Sequence, residues 1–145
     1  MNILNEVVKD YYGKTLQGSA DLRTDACCTE AAPPRHVSQA LAAVADDVAA
    51  RYYGCGLAIP AVLEGLKVLD LGCGAGRDVF ALAKLVGETG HVTGVDMTDE
   101  QLDVAYAHEA WHAEKLGYAT ANTRFVKGYL EALGSLDLEP GSFDL

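Results

Sequence analysis

The stretch Lys67-Val68-Leu69-Asp70-Leu71-Gly72-Cys73-Gly74-Ala75-Gly76-Arg77-Asp78 decides how the chain is read. Val68, Leu69 and Leu71 form the apolar run of a central strand, covered on both faces of its sheet. Gly72, Gly74 and Gly76 then remove side chains where the backbone must turn sharply and come close to a ligand. A helix follows over about Arg77–Val86, its N-terminus and free amide donors aimed at the same spot. A tight turn with one capping acid is the plainer reading of the glycines alone. It leaves the ordered series of strand, turn, helix and a second strand ending in an acid without a purpose.

The glycine spacing narrows the ligand. A dinucleotide fingerprint runs G-x-G-x-x-G and holds a pyrophosphate with its amides and helix dipole. Here the order is G-x-G-x-G, with Asp70 two positions ahead of the first glycine. This variant resembles motif I of the class I methyltransferases, and the resemblance implies S-adenosylmethionine lying over Gly72, Cys73, Gly74, Gly76 and Arg77. That ligand has no phosphate but carries an amino-acid tail, a ribose and an adenine. Asp70 then becomes the partner of its ammonium group, directly or through water. Asp96 ends the next strand candidate, His91–Asp96, where an acceptor takes both ribose hydroxyls.

Composition bounds the rest. The 145 residues are one domain by length, half of them hydrophobic, which is enough for a substantial core. No stretch approaches the roughly 20 apolar residues of a membrane span. The start, Met1-Asn2-Ile3-Leu4-Asn5-Glu6, lacks the basic-then-apolar order of a signal peptide. The expectation is a cytoplasmic protein with no membrane partner. A net charge of -10, with 11 scattered Lys and Arg residues, repels phosphate backbones and argues for small-molecule chemistry, not nucleic acid. Cys27, Cys28, Cys55 and Cys73 do not fall into a zinc pattern and are expected to stay thiols or to cycle during a reaction.

Taken in order, Ile3, Leu4, Val7, Val8 and Tyr11 form an apolar stripe at helical spacing, predicting a helix packed on the domain and stopped by Gly13. Residues 14–34 lack a period, hold Cys27 and Cys28, and read as an ordered loop or lid. A helix from about His36 to Tyr52 should bury Val37, Leu41, Val44 and Val48. After the glycine turn, Thr98 with Gln101 three residues later predicts a reciprocal capping box, opening a helix that buries Leu102, Ala105 and Ala113 and ends at Gly117. His108 and His112, four apart on that helix, are expected to be solvated. A third strand, Thr123–Lys127, leads to Gly128-Tyr129-Leu130-Glu131.

The expected fold is therefore α/β: the N-terminal half of a Rossmann-like, doubly wound parallel sheet, preceded by helices and a cysteine-bearing loop. Residues 1–66 would cover the cofactor site and residues 67–145 would form the binding half, with Ser142-Phe143-Asp144-Leu145 the first step of a fourth strand beside the first. The chain is read as a fragment, and an apolar strand with an open edge predicts self-association or pairing with a complementary fragment.

Beyond motif I, the segments Lys14-Thr15, Ser19-Ala20-Asp21-Leu22, Thr24-Asp25-Ala26-Cys27-Cys28-Thr29, Arg51-Tyr52-Tyr53-Gly54-Cys55-Gly56, Gly94-Val95-Asp96-Met97-Thr98 and Gly128-Tyr129-Leu130-Glu131 resemble the arsenite methyltransferases. The resemblance covers nearly the whole chain. It implies methyl transfer from S-adenosylmethionine to trivalent arsenic carried as a thiol conjugate, with S-adenosylhomocysteine as product and a thiol reductant to restore the cysteines. Cys27, with Cys28 beside it, and Cys55 match family cysteines that bind arsenic and relay electrons; two further ones have no counterpart here. Tyr53 is expected over the cofactor mouth, and Met97, Gln101, Leu130 and Glu131 beside the nucleoside. No resident metal is expected. Two other readings stay open: a methyltransferase for another small molecule, and a module that only binds the cofactor.

Overall fold

The computed structural model describes residues 3–16, 32–54, 59–60 and 62–145. Cys27, Cys28 and Cys55 lie outside these residues, as does most of the loop 14–34. Three strands, β1 (Lys67–Leu71), β2 (His91–Asp96) and β3 (Thr123–Lys127), form a parallel sheet in the order β1-β2-β3. The N-terminal segment supplies helices α1 (Ile3–Asp10), α2 (Arg35–Leu41) and α3 (Asp46–Ala49), and the crossovers are α4 (Arg77–Val86) and α5 (Asp99–Leu116).

Both crossovers bury their apolar stripes in one core. Val68, Val92 and Phe125 of the sheet pack with Val79, Phe80 and Val86 of α4 and with Leu102 and Ala105 of α5. Ala40, Val44, Val48 and Leu63 from the N-terminal segment close the same core. Each strand advances one place in the same direction, so right-handed connections set both helices on one side of the sheet. β1 is not buried on both faces as its apolar run predicts: Leu69 is partly buried and Leu71 is 45% exposed.

The outer edge of β1 is occupied for a short distance. Asp144 N donates to Lys67 O at 2.8 Å and Leu69 N donates to Leu145 O at 2.9 Å, so the last residues run alongside β1 as the fourth-strand reading anticipates. The Asp144 carboxylate also accepts from Lys67 N at 2.8 Å.

Several local expectations are corrected by contacts from afar. The helix expected over residues 36–52 is two pieces, because Ala45 is extended and its N–H turns to His112 Nε2 at 3.2 Å. His112 is accordingly buried, not solvated: it stacks on Phe80 at 3.7 Å, and burial lowers its pKa to about 4. Gly13 does not stop the first helix, which widens into a π turn, Tyr11–Thr15, closed by Leu16 N donating to Tyr11 O. The stripe on α1 is split, with Val8 inward at the pocket described below while Ile3 and Val7 are exposed. Thr98 does cap α5 by position and Gly117 ends it, but the reciprocal side-chain bonds of a capping box do not form; Gln101 bonds elsewhere.

Asn122 shows how side-chain donors complete the frame. It is buried at the entrance to β3, and its Nδ2 donates to Ala83 O and Gly87 O, both at 2.9 Å, satisfying carbonyls at the end of α4 that have no helical partner. Asn122→Ala should cost about 1–3 kcal/mol in urea unfolding, because the buried Ala83 carbonyl loses its side-chain donor, while Gly87 O keeps the Gly90 amide. A loss within measurement error would contradict this account of the α4 end.

Candidate functional site

The glycine turn is built by backbone bonds to β2. Gly72 N and Cys73 N both donate to Val95 O, at 2.8 and 3.1 Å, which folds the chain back across the carboxyl ends of the strands. Gly74 has φ +55° and open space where a Cβ would stand, so the turn presents bare backbone. Gly76 has φ +89°, and a Cβ there would lie 2.7 Å from the Phe125 ring, so glycine also lets α4 start hard against β3. Cys73 fills the space left by Gly94, whose Cβ would stand 2.8 Å from the Cys73 sulfur.

Asp96 ties this turn to the next helix. Its carboxylate accepts from Gly74 N at 2.9 Å and from Thr98 N at 2.8 Å. Each oxygen retains a lone pair for a further donor.

A cavity of about 550 Å³ opens above the turn. Of the residues singled out from sequence as cofactor-binding, Tyr53, Asp70, Gly72, Cys73, Gly74, Arg77, Asp96, Met97, Gln101, Leu130 and Glu131 line it. Gly76 does not; it sits behind the turn against Phe125 and Phe80. The cavity also takes in residues that sequence reasoning passed over, among them Asn5, Val8 and Tyr12 from the N-terminal helix and its π turn, and Arg51, Tyr52 and Asp78. Asp78 and Tyr52 stand next to residues already chosen and could have been included on adjacency. Nothing local marks Asn5, Val8 or Tyr12, whose place depends on how the N-terminal segment folds back.

The charges around the turn are unbalanced. The Arg77 guanidinium bonds to Asp78 at 2.8 Å and lies over the Tyr52 ring, 3.1 Å from its centroid, so its charge is already engaged. Burial, reinforced by the nearby Asp78 and Asp96 charges, pushes the Asp70 carboxyl up to about 6. Burial likewise pushes the Cys73 thiol far above its ordinary value, which disfavours the nucleophilic thiolate, and its sulfur is packed against Gly94. The arrangement suits a ligand that brings positive charge to Asp70, hydroxyl donors to Asp96 and an apolar group to the wall that Met97 and Leu130 help to line.

Residues 63–145 match the family model described as a methyltransferase domain, and the chain belongs to that family. Its parallel sheet, glycine turn and crossover helices are those of the Rossmann-like class I methyltransferase fold. Over 142 residues, 98% of the chain, it is 54% identical to the arsenite methyltransferase of Aquipseudomonas alcaligenes, of which it covers 40%. It is 50% identical over 139 residues, 95% of the chain, to the human arsenite methyltransferase, of which it covers 37%. Among solved structures it is similar to the arsenic(III) S-adenosylmethionine methyltransferase of Chlamydomonas reinhardtii, with a TM-score of 0.75 and 54% identity over 78% of this chain and 38% of that one. The chain thus spans about two fifths of the length of these relatives.

The raised Asp70 pKa makes a stability prediction whose sign is fixed. The folded state holds the Asp70 proton more tightly than the unfolded chain, so stability is lost as pH rises from about 4 through about 6. Asp70→Asn removes that loss. In urea unfolding without ligand, the variant should gain on the parent by about 2–3 kcal/mol above pH 6, with the gap closing near pH 4. A gap independent of pH would show that Asp70 is not held in an unfavourable ionised state.

Proposed function

We propose that this chain binds S-adenosylmethionine in the cavity above the glycine turn and presents trivalent arsenic, held by the thiolates of Cys27, Cys28 and Cys55, to the cofactor's methyl group. The observation that carries the reading is the 54% identity to an arsenite methyltransferase over 98% of the chain, a span that takes in positions 27, 28 and 55. The cavity supports the cofactor assignment independently. The bare backbone at Gly74 leaves room for a ligand to lie against the turn, and Asp70 is a partly buried carboxylate without a cationic partner among the described residues. In this reading Asp70 takes the ammonium group and Asp96 the ribose hydroxyls. Gly72, Cys73, Gly74 and Arg77 form the floor, Gly76 keeps α4 close beneath it, and Tyr53, Met97, Gln101, Leu130 and Glu131 surround the nucleoside.

Bound S-adenosylmethionine supplies an electrophilic methyl group on a sulfonium centre. Thiolates are the natural ligands of soft trivalent arsenic. Holding it through Cys27, Cys28 and Cys55 leaves the arsenic lone pair free and brings it within reach of the methyl carbon. As the arsenic–carbon bond forms, the sulfonium–carbon bond breaks, and the arsenic is oxidised from the trivalent to the pentavalent state. A cysteine pair closing to a disulfide returns two electrons, and a thiol reductant reopens it. In this reading Cys73 serves the floor and not the thiol chemistry, since its partly buried position favours the protonated thiol and its sulfur is packed against Gly94.

The same reading places the chain in arsenic detoxification in the reducing cytoplasm, with arsenic delivered as a thiol conjugate. No helix of the described residues is long and apolar enough to cross a membrane. Residues 1–66 act as the cover of the site and residues 67–145 as its binding half. The isolated chain is expected to show no turnover, since the resemblance implies two cysteines that its sequence does not supply. The remaining edge of β1, with Leu71 exposed beside it, favours pairing with a second copy or a complementary fragment.

Titration calorimetry tests the cofactor site. Asp96→Ala removes charge-assisted hydrogen bonds of about 1.5–3 kcal/mol each, and should weaken S-adenosylmethionine binding at least tenfold. Unchanged affinity in a folded variant would remove the ribose assignment. The cysteine assignment is tested in the full-length enzyme, where Cys55→Ser should abolish arsenite methylation and leave cofactor affinity within about twofold. Retained turnover would favour a different methyl acceptor.

A further inference from the structure

The seam between the π turn Tyr11–Thr15 and the first turn of α5 is closely packed but incompletely bonded. Gly13 permits the approach: a Cβ there would stand 2.5 Å from Glu100 Oε2 and 3.0 Å from Thr98 Cγ2. Gln101 is 2% exposed, and its Nε2 donates to Tyr12 O at 2.9 Å. A backbone carbonyl can only accept, so this bond settles which end of the Gln101 amide is the nitrogen. The other end, Oε1, is buried with no hydrogen-bond partner. Among the described residues, the only other buried side-chain oxygen in this condition is Glu100 Oε2, in the same seam. Buried acceptors without donors are destabilising, and a site that concentrates them is suited to a ligand that supplies a donor.

Gln101 also lines the cavity, as does Tyr12. The far end of the turn is held to the same wall, with Tyr53 Oη donating to Leu16 O at 3.4 Å and the Tyr12 and Tyr53 rings 6.1 Å apart. In sequence, Leu16 leads into the segment that carries Cys27 and Cys28.

We infer that Gln101 is a positioning residue that couples cofactor occupancy to the N-terminal turn. A hydroxyl or amine donor of the nucleoside bonds to Oε1, and the same amide then grips the Tyr12 carbonyl more tightly. The physical link is polarisation: an amide that accepts at its oxygen becomes a better donor at its nitrogen. Binding therefore orders the π turn against α5 without a hinge motion, and the turn gains protection that the free protein lacks. The inference rests on the cofactor reading above.

Amide hydrogen exchange of the 145-residue chain, with and without saturating S-adenosylmethionine, tests it. In the parent protein, exchange at residues 11–16 should slow at least fivefold on binding, together with residues 70–76. Gln101→Met, which keeps size but removes both polar ends, should at saturation protect 70–76 and no longer protect 11–16. Gln101→Glu keeps an acceptor but loses the donor to Tyr12, and should give the same separation. Protection of 11–16 in either variant equal to the parent overturns the inference, as does a parent protein that protects 70–76 alone. If no segment is protected, the cofactor reading fails and takes the inference with it. With S-inosylhomocysteine, which replaces the adenine amine by an acceptor, protection of 11–16 equal to that with S-adenosylhomocysteine assigns the donor to a ribose hydroxyl. Selective loss assigns it to the amine, and either result supports the coupling.

Discussion

The carboxylate of Asp96 is the interaction on which the site depends. It accepts the amides of Gly74 and Thr98, and so fastens the glycine turn after β1 and the start of α5 to the end of β2. The turn cannot be held by side chains of its own, because its exposed positions must be bare for a ligand to approach. Its shape comes instead from β2, through Asp96 and through the Val95 carbonyl that takes the amides of Gly72 and Cys73. Gly94 completes the arrangement by leaving room for the Cys73 sulfur. A parallel sheet is what brings these strand ends to one place, and burying α4 and α5 on one side of it holds them there.

The electrostatics follow from that geometry. Asp70, Asp78 and Asp96 converge on one cavity, and the guanidinium of Arg77 is committed to Asp78 and to the face of Tyr52. Asp70 is left partly buried with its proton favoured. A cationic ligand relieves the excess, and its charge is worth more here than in water because the surroundings are less polarisable. Affinity for such a ligand and stability would then draw on the same residue, with opposite demands on its protonation.

The strands, α4 and the end of α5 were legible in the sequence because their signals are local: short apolar runs, glycines at their ends and a helical period between them. Most of the cavity wall was legible for the same reason, since Asp70, Gly74, Asp96 and Met97 sit at strand ends marked by those signals. The failures share a different cause. The break at Ala45 is set by His112, the burial of His112 by Phe80, and the lost capping box by the carbonyl of Tyr12, each partner being distant in sequence. Gly13 carries the same lesson: it is there for the approach of Glu100 and not to end a helix. Asn5, Val8 and Tyr12 join the cavity wall through the return of the N-terminal segment, which no local period announces.

The central claim is that the cavity above the Asp96-anchored turn holds S-adenosylmethionine. The most direct measurement is a nitrogen–proton correlation spectrum of the 145-residue chain during titration with S-adenosylmethionine. Because ribose hydroxyls would bond to the carboxylate that already accepts the amides of Gly74 and Thr98, those two resonances should shift in a saturable way, with Met97 and Gly128 at the cavity wall following the same curve. Saturable shifts confined to residues away from this cavity, or none at all in a folded sample, would contradict the account.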